Sequence, residues 1–137
     1  MALIPFDDRD GSIWFDGEML PWRDAKIHSL SHGLHYASLV FEGERVYSGH
    51  VFKSAEHTAR LRTSAKILDF DVPLSNFALE ASKQTVIKAN NIVDGYLRAF
   101  CWRGSEMMAI SAQQTTTHLA IAAWEWPSYF DPETKMK

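Results

Sequence analysis

The segment "GYLRAFCW", residues 95–102, constrains the fold more than any other stretch, because its residue types alternate strictly. Tyr96, Arg98, Phe100 and Trp102 fall on one face, and Leu97, Ala99 and Cys101 on the other. A strand, with its side-chain period of two, keeps these two sets apart. A second run, "HLAIAAWEW" at 118–126, is nearly continuous in apolar residues, as expected of a strand covered on both sides. "SIWFDGEML" reads as a hairpin in which Ile13–Phe15 and Glu18–Leu20 flank Asp16-Gly17, a dipeptide preferred in two-residue type I′ turns. "SLVFEGERVY" is strand-like from Leu39 to Tyr47, and after the turn signal Ser48-Gly49 the residues "HVFK" supply a return strand.

Helical spacing occupies the middle of the chain. Leu61, Ala65 and Leu68 stand at i, i+4 and i+7 in "AEHTARLRTSAKIL", which predicts an amphipathic helix with Ser54 as N-cap and Glu56 in its first turn. A second helix is predicted after Pro73, capped by Ser75 and stopped at Asn90-Asn91, residues that tolerate a left-handed end. Strands grouped around two helices predict an α+β fold: a two-layer sandwich of a mostly antiparallel sheet with two main helices on one face.

Length and charge narrow the partners. A chain of 137 residues is one ordinary domain with enough material for a core. Its formal charge of -3, with no basic run or stripe, argues against a nucleic-acid partner. No apolar run reaches the ~20 residues of a membrane helix, and "MALIPFDDRDG" lacks a signal-peptide pattern. The lone Cys101 has no internal disulfide partner, which fits a reducing compartment, so a cytoplasmic protein is expected. Five Trp, eight Phe and four Tyr are many for this length, and aromatics at that density serve cores, interfaces and ligand clefts alike.

Three groups of residues could carry chemistry. His28, His32 and His35 have the spacing of one helix face, as in metal-binding helices. The zinc-protease form, however, places a Glu beside the first His, where this chain has Ser29 and Leu30, and Ser31 and Gly33 weaken the helix. Hydrogen-bonded structural histidines are the expectation, and no metal ligands are assigned. Arg98 interrupts an aromatic strand face, and a guanidinium there must meet an anion: a protein carboxylate, or the carboxylate or phosphate of a ligand. Arg60 lies on the polar side of a helix, where an arginine is ordinarily solvated. Glu42, Glu44 and Arg45 read as a charge cluster at a strand end. No nucleophile elbow, phosphate-binding glycine loop or paired-carboxylate motif is present.

The stretch "IWFDGEMLPWRDAKIHSLSHGLHYASLVFEGERVY" resembles the opening of the fold-type IV pyridoxal-phosphate enzymes, most closely the branched-chain amino-acid aminotransferases. The likeness continues through "FKSAEHTARLRTSAKIL" and "GYLRAFCWRG" to "AAWEWPSYF", nearly the whole chain. It implies that residues 1–130 are the small N-terminal domain of such an enzyme and 131–137 the start of an interdomain linker. The expected reaction passes the amino group of Leu, Ile or Val to 2-oxoglutarate with pyridoxal 5'-phosphate as cofactor. By position, the resemblance puts Tyr36, Phe41, Tyr96 and Tyr129 in the wall of the substrate pocket. It has Arg98 face the bound substrate and help hold an acidic side chain or carboxylate, Arg45 support the carboxylate site, and Arg60 bind the cofactor phosphate.

The same resemblance implies no catalytic residue here. The Schiff-base lysine of the family and the carboxylate at its pyridine nitrogen belong to a C-terminal domain, and none of the lysines of this chain matches that position. The isolated chain is therefore expected to be inactive, and to self-associate through a face that a second domain would cover. The family is dimeric, so a homo-oligomer is expected, with an amino acid and a 2-oxo acid as small-molecule partners. D-amino-acid aminotransferase and aminodeoxychorismate lyase share the fold and cofactor, and a stand-alone binding module without catalysis is the reading from another class. The chain departs from the family in having Gly43-Glu44-Arg45 for Gly-Ile-Arg, "SEMMAISAQQ" for a Gly-rich stretch, and Trp126-Pro127-Ser128-Tyr129 for Trp-Gly-Ala-Tyr.

Overall fold

The computed structural model describes residues 4–126. The first hairpin pairs β1 (Ser12–Phe15) with β2 (Glu18–Pro21), and both turn residues take left-handed φ, 49° at Asp16 and 96° at Gly17, as a type I′ turn requires. The Asp16 carboxylate also accepts from the Leu119 amide (2.9 Å) and from His118 Nδ1 (2.6 Å), tying the turn to the last strand. A 3-10 turn at Trp22–Asp24 and a short helix α1 (His32–Tyr36) follow, neither expected from the sequence. Next come β3 (Leu39–Tyr47), β4 (His50–Val51), α2 (Ser54–Ile67), α3 (Asn76–Ala89), β5 (Gly95–Arg103) and β6 (Thr117–Glu125).

All six strands join one antiparallel sheet in the order β2-β1-β6-β5-β3-β4. The predicted α+β sandwich is therefore present. Helices α2 and α3 cover one face, where Leu61, Ala65, Leu79, Val86, Leu97, Ala99, Cys101, Leu119 and Ile121 form a core that excludes water. Burial of this kind contributes roughly 25 cal/mol per Å² of apolar surface, which is what fastens the helices to the sheet. Ser75 caps α3 as expected, its hydroxyl accepting from the Ala78 amide (3.1 Å), and Asn91 ends the segment at φ 53°.

Two details of α2 differ from expectation. Ser54 is the first helical residue and not the cap: Lys53 precedes it in a left-handed conformation, and the Ser54 hydroxyl donates to Glu80 on α3. Leu68 lies beyond the last helical turn and is exposed, while Thr58, one turn before Leu61, takes the buried place. The three histidines also do not share a helix face, since α1 starts only at His32. His28 Nδ1 accepts from the Leu30 amide, His35 Nε2 donates to the Ser29 carbonyl, and buried His32 spans Ser38 and the Ala109 carbonyl. Each histidine thus has a separate structural partner.

Candidate active site

Pleating divides β3 into two chemically different faces. Val40, Glu42, Glu44 and Val46 point into the helix layer; Leu39, Phe41, Gly43, Arg45 and Tyr47 point away from it. The register then assembles the open face in rows. Phe41 stands opposite Phe100 and Ala120, Gly43 opposite Arg98 and Ala122, and Arg45 opposite Tyr96 and Trp124.

Arg98 is therefore flanked by the two smallest side chains available, and its guanidinium is free to lie along the sheet. It sits 4.2 Å above the Phe41 ring and 5.5 Å from that of Tyr96, cation–π contacts favoured by partial desolvation. Its Nε and Nη2 both donate to the Tyr96 hydroxyl at 3.2 and 3.0 Å. Among the described residues no carboxylate bonds it. Of the two anions the sequence leaves open, the protein carboxylate is thus missing from the described residues. Leu39, Phe41, Arg98 and Phe100 line a cavity of ≈ 260 Å³, apolar with a single cation.

Gly43 makes this geometry possible. A Cβ there would overlap the Tyr96 hydroxyl and come within 2.8 Å of Cζ, so a side chain would displace the ring that steers Arg98. Arg45 lies one row along, donating from Nη2 to the Trp126 carbonyl (3.2 Å), with its guanidinium 5.4 Å from the Tyr47 ring. Tyr36 stands apart: it stacks on His32 at 4.4 Å, donates to the Met108 carbonyl (2.8 Å), and lines a different cavity with Arg103. Tyr129 lies outside the described residues.

The reading of Glu42 and Glu44 as a strand-end charge cluster is overturned. Both lie mid-strand and are buried, because the pleat turns them under the helices. Glu44 pairs with Lys83 of α3 at 2.8 Å, both side chains 1% exposed, and Ser54 and Thr58 hydroxyls complete the lysine's sphere at 3.0 and 2.9 Å. Burial pushes the Glu44 carboxyl above its ordinary value although Lys83 pulls against it, and Oε2 has no partner among the described residues. The departure from Gly-Ile-Arg at this position is thus matched by a lysine on the facing helix.

Glu42 engages Arg60 on α2. Arg60 Nε lies 2.9 and 3.0 Å from the two carboxylate oxygens, Nη2 is 2.8 Å from Oε1, and His57 Nδ1 donates to Oε1 at 2.7 Å. Burial would raise the Glu42 carboxyl, but the hydrogen bonds from Arg60 and His57 prevail and hold it below the usual carboxylate range. Only one edge of the guanidinium is used. Nη1 has no partner among the described residues, and the Arg60 side chain is 67% exposed, so the edge formed by Nη1 and Nη2 is open to a second anion. Arg60 and Arg98 thus belong to opposite layers of the fold, one on the helix side and one on the open sheet face.

Two other reactive groups are accounted for structurally. Cys101 is fully buried, and burial pushes its thiol up to about 12, which removes it as a nucleophile. Lys83, held by Glu44 and two hydroxyls, faces the helix layer and has no route to the open face. Sequence reasoning misses Glu42, Gly43, Leu39 and Phe100 as parts of the site. The alternation of "LVFEGERVY" carries the signal, but only the pairing with β5 shows what each position faces.

An arginine steered by a tyrosine over an aromatic floor offers a cleft for a small anionic molecule, and a second arginine keeps one edge free for another anion. Residues 39–137 match the family of amino-transferase class IV proteins. The chain belongs to that family. It is 40% identical over 130 residues to the branched-chain-amino-acid aminotransferase of Pseudomonas aeruginosa, an alignment that covers 92% of this chain and 42% of that protein. The solved structure of the Escherichia coli branched-chain amino acid aminotransferase superposes with a TM-score of 0.83 at 40% identity, covering 91% of this chain and 43% of that one. The branched-chain aminotransferase of the archaeon Thermoproteus uzoniensis, solved with norvaline, superposes at 0.82 with 30% identity, covering 88% and 42%. A further branched-chain amino acid aminotransferase of this group is solved with pyridoxamine 5'-phosphate; it superposes at 0.85 with 33% identity, covering 92% and 43%. The chain spans about two-fifths of the length of these relatives. Among the described residues no helix is long and apolar enough to cross a membrane.

Proposed function

We propose that this chain forms the small domain of a pyridoxal-phosphate-dependent aminotransferase that moves the amino group of Leu, Ile or Val to 2-oxoglutarate. Residues 1–130 are assigned to that domain and 131–137 to the connection towards a second one. The observation that carries the reading is Arg98: a half-buried guanidinium over Phe41, bonded to Tyr96, with no carboxylate of the described residues to neutralise it. A substrate carboxylate is the anion it suits, and Phe41, Leu39 and Phe100 beside it suit a branched aliphatic chain.

The residues present fit the cofactor. Arg60 offers its open edge to the phosphate, a planar fork matched to two oxygens. When bound, pyridoxal phosphate supplies the electron sink for loss of the substrate α-proton. This chain's share of the work is binding and orientation: Arg60 anchors the phosphate, Arg98 orients the substrate carboxylate, and the aromatic wall excludes water from the apolar side chain. Arg45, one row along from Arg98, supports the carboxylate site. The proton-moving lysine is assigned to a segment other than this one. In a dimer, the small domain of one subunit reaches the site of its neighbour, and the protein works in the cytoplasm.

The test is amino transfer from L-leucine to 2-oxoglutarate by the protein expressed from its complete reading frame, compared with Arg98→Lys. The guanidinium fork is not replaced by an ammonium, so the KM for 2-oxoglutarate should rise by about tenfold or more. An unchanged KM removes Arg98 from the substrate site. Transfer from D-alanine but from no branched-chain L-amino acid would assign the protein to the D-amino-acid type instead.

A further inference from the structure

We propose that Glu42 is a positioning residue for the anion site of Arg60: it locks one edge of the guanidinium so that the other edge is held ready for a phosphate. The inference rests on the reading of Arg60 as the phosphate arginine and adds to it a residue that touches neither cofactor nor substrate.

An arginine that is two-thirds exposed ordinarily samples many rotamers, and an anion that captures it must order the side chain on binding. Here that ordering is already done. Glu42 is 5% exposed and fixed within β3, and both its oxygens are engaged by Arg60 Nε. His57, one helical turn before Arg60 on α2, donates to Oε1 and holds the carboxylate from a second direction. The buried carboxylate thus belongs to the sheet and the guanidinium to the helix, and their bidentate bond sets where Nη1 points. The same bond leaves the edge formed by Nη1 and Nη2 facing solvent in a fixed orientation. The pleat explains why the motif is Glu-Gly: Glu42 steers Arg60 on one side of β3 while Gly43, the next residue, admits Tyr96 to steer Arg98 on the other.

The experiment measures the dissociation constants of pyridoxal 5'-phosphate and of pyridoxal, which lacks the phosphate, for the complete cofactor-free protein. Their ratio reports the phosphate site alone. Arg60→Ala should reduce the preference for the phosphorylated ligand to near unity. Glu42→Gln should cut it by about tenfold while leaving pyridoxal affinity unchanged, and should add nothing in the Arg60→Ala background. Glu42→Asp keeps the charge but shortens the reach, so it should give an intermediate loss; it serves as the test if Glu42→Gln does not fold. A Glu42 variant that keeps the full preference, while Arg60→Ala loses it, overturns the positioning role and leaves the phosphate arginine standing. An equal loss for both ligands likewise overturns it, as a merely structural effect. An Arg60→Ala protein with its preference intact overturns the reading of Arg60 itself.

Discussion

Gly43 has no side chain to bring to a site, yet the open face of the sheet depends on it. The Tyr96 ring occupies the space its Cβ would take, and the Tyr96 hydroxyl receives two hydrogen bonds from Arg98. Gly43→Ala should therefore displace Tyr96 and, through it, Arg98. The KM for amino acid and 2-oxo acid should rise about tenfold, with the melting temperature nearly unchanged because the open face contributes little to the core. Steady-state kinetics and a thermal melt on the same preparation check both halves. At this scale much of the site is legible in sequence: the alternation of residues 95–102 places Arg98 among aromatics without any structure. Glu42 and Glu44 are not legible in that way. Acidic residues on a strand ordinarily face water, and only the partners brought by α2 and α3 explain two of them turned inward.

At the scale of elements, the junction of β3, α2 and α3 is held by more than apolar packing. Lys83 of α3 reaches Glu44 of β3 and the hydroxyls of Ser54 and Thr58 on α2. Removing one member of a buried ion pair strands the other, at a cost of about 3–5 kcal/mol, whereas an apolar pair of similar volume is often as stable as the original. Lys83→Met should accordingly lose about 3 kcal/mol in urea denaturation, and adding Glu44→Leu should recover roughly half of it or more. Ser54 and Thr58 keep Glu80 as acceptor in both variants, so they are not stranded. Additive losses would contradict the coupling. The helices themselves are readable from Ser75, Asn90-Asn91 and the spacing of Leu61 and Ala65. The start of α2 is not, because the Ser54 hydroxyl serves a tertiary contact with Glu80 in place of a local cap.

For the whole molecule, the strand order β2-β1-β6-β5-β3-β4 assembles the candidate site, since it sets Phe41, Gly43 and Arg45 beside Phe100, Arg98 and Tyr96. Strand existence follows from local pattern, but this register joins residues distant in the chain, such as Leu39 with Trp102, and is fixed by burial of the opposite face. The fold leaves its aromatic, arginine-bearing face uncovered, with Phe41 49% exposed, while buried Lys83 is engaged on the other side. The proposed division of labour gives this segment the anion-binding arginines Arg98 and Arg60, and assigns the lysine that bonds the cofactor to another segment. The most direct test of that division of labour is borohydride reduction of the complete protein loaded with pyridoxal phosphate, followed by peptide mapping. A stoichiometric label is expected on a lysine outside this segment, with Lys26, Lys53, Lys66, Lys83, Lys88, Lys135 and Lys137 unmodified. One cofactor fixed on any of those seven would contradict it, and would make this chain itself the catalytic domain.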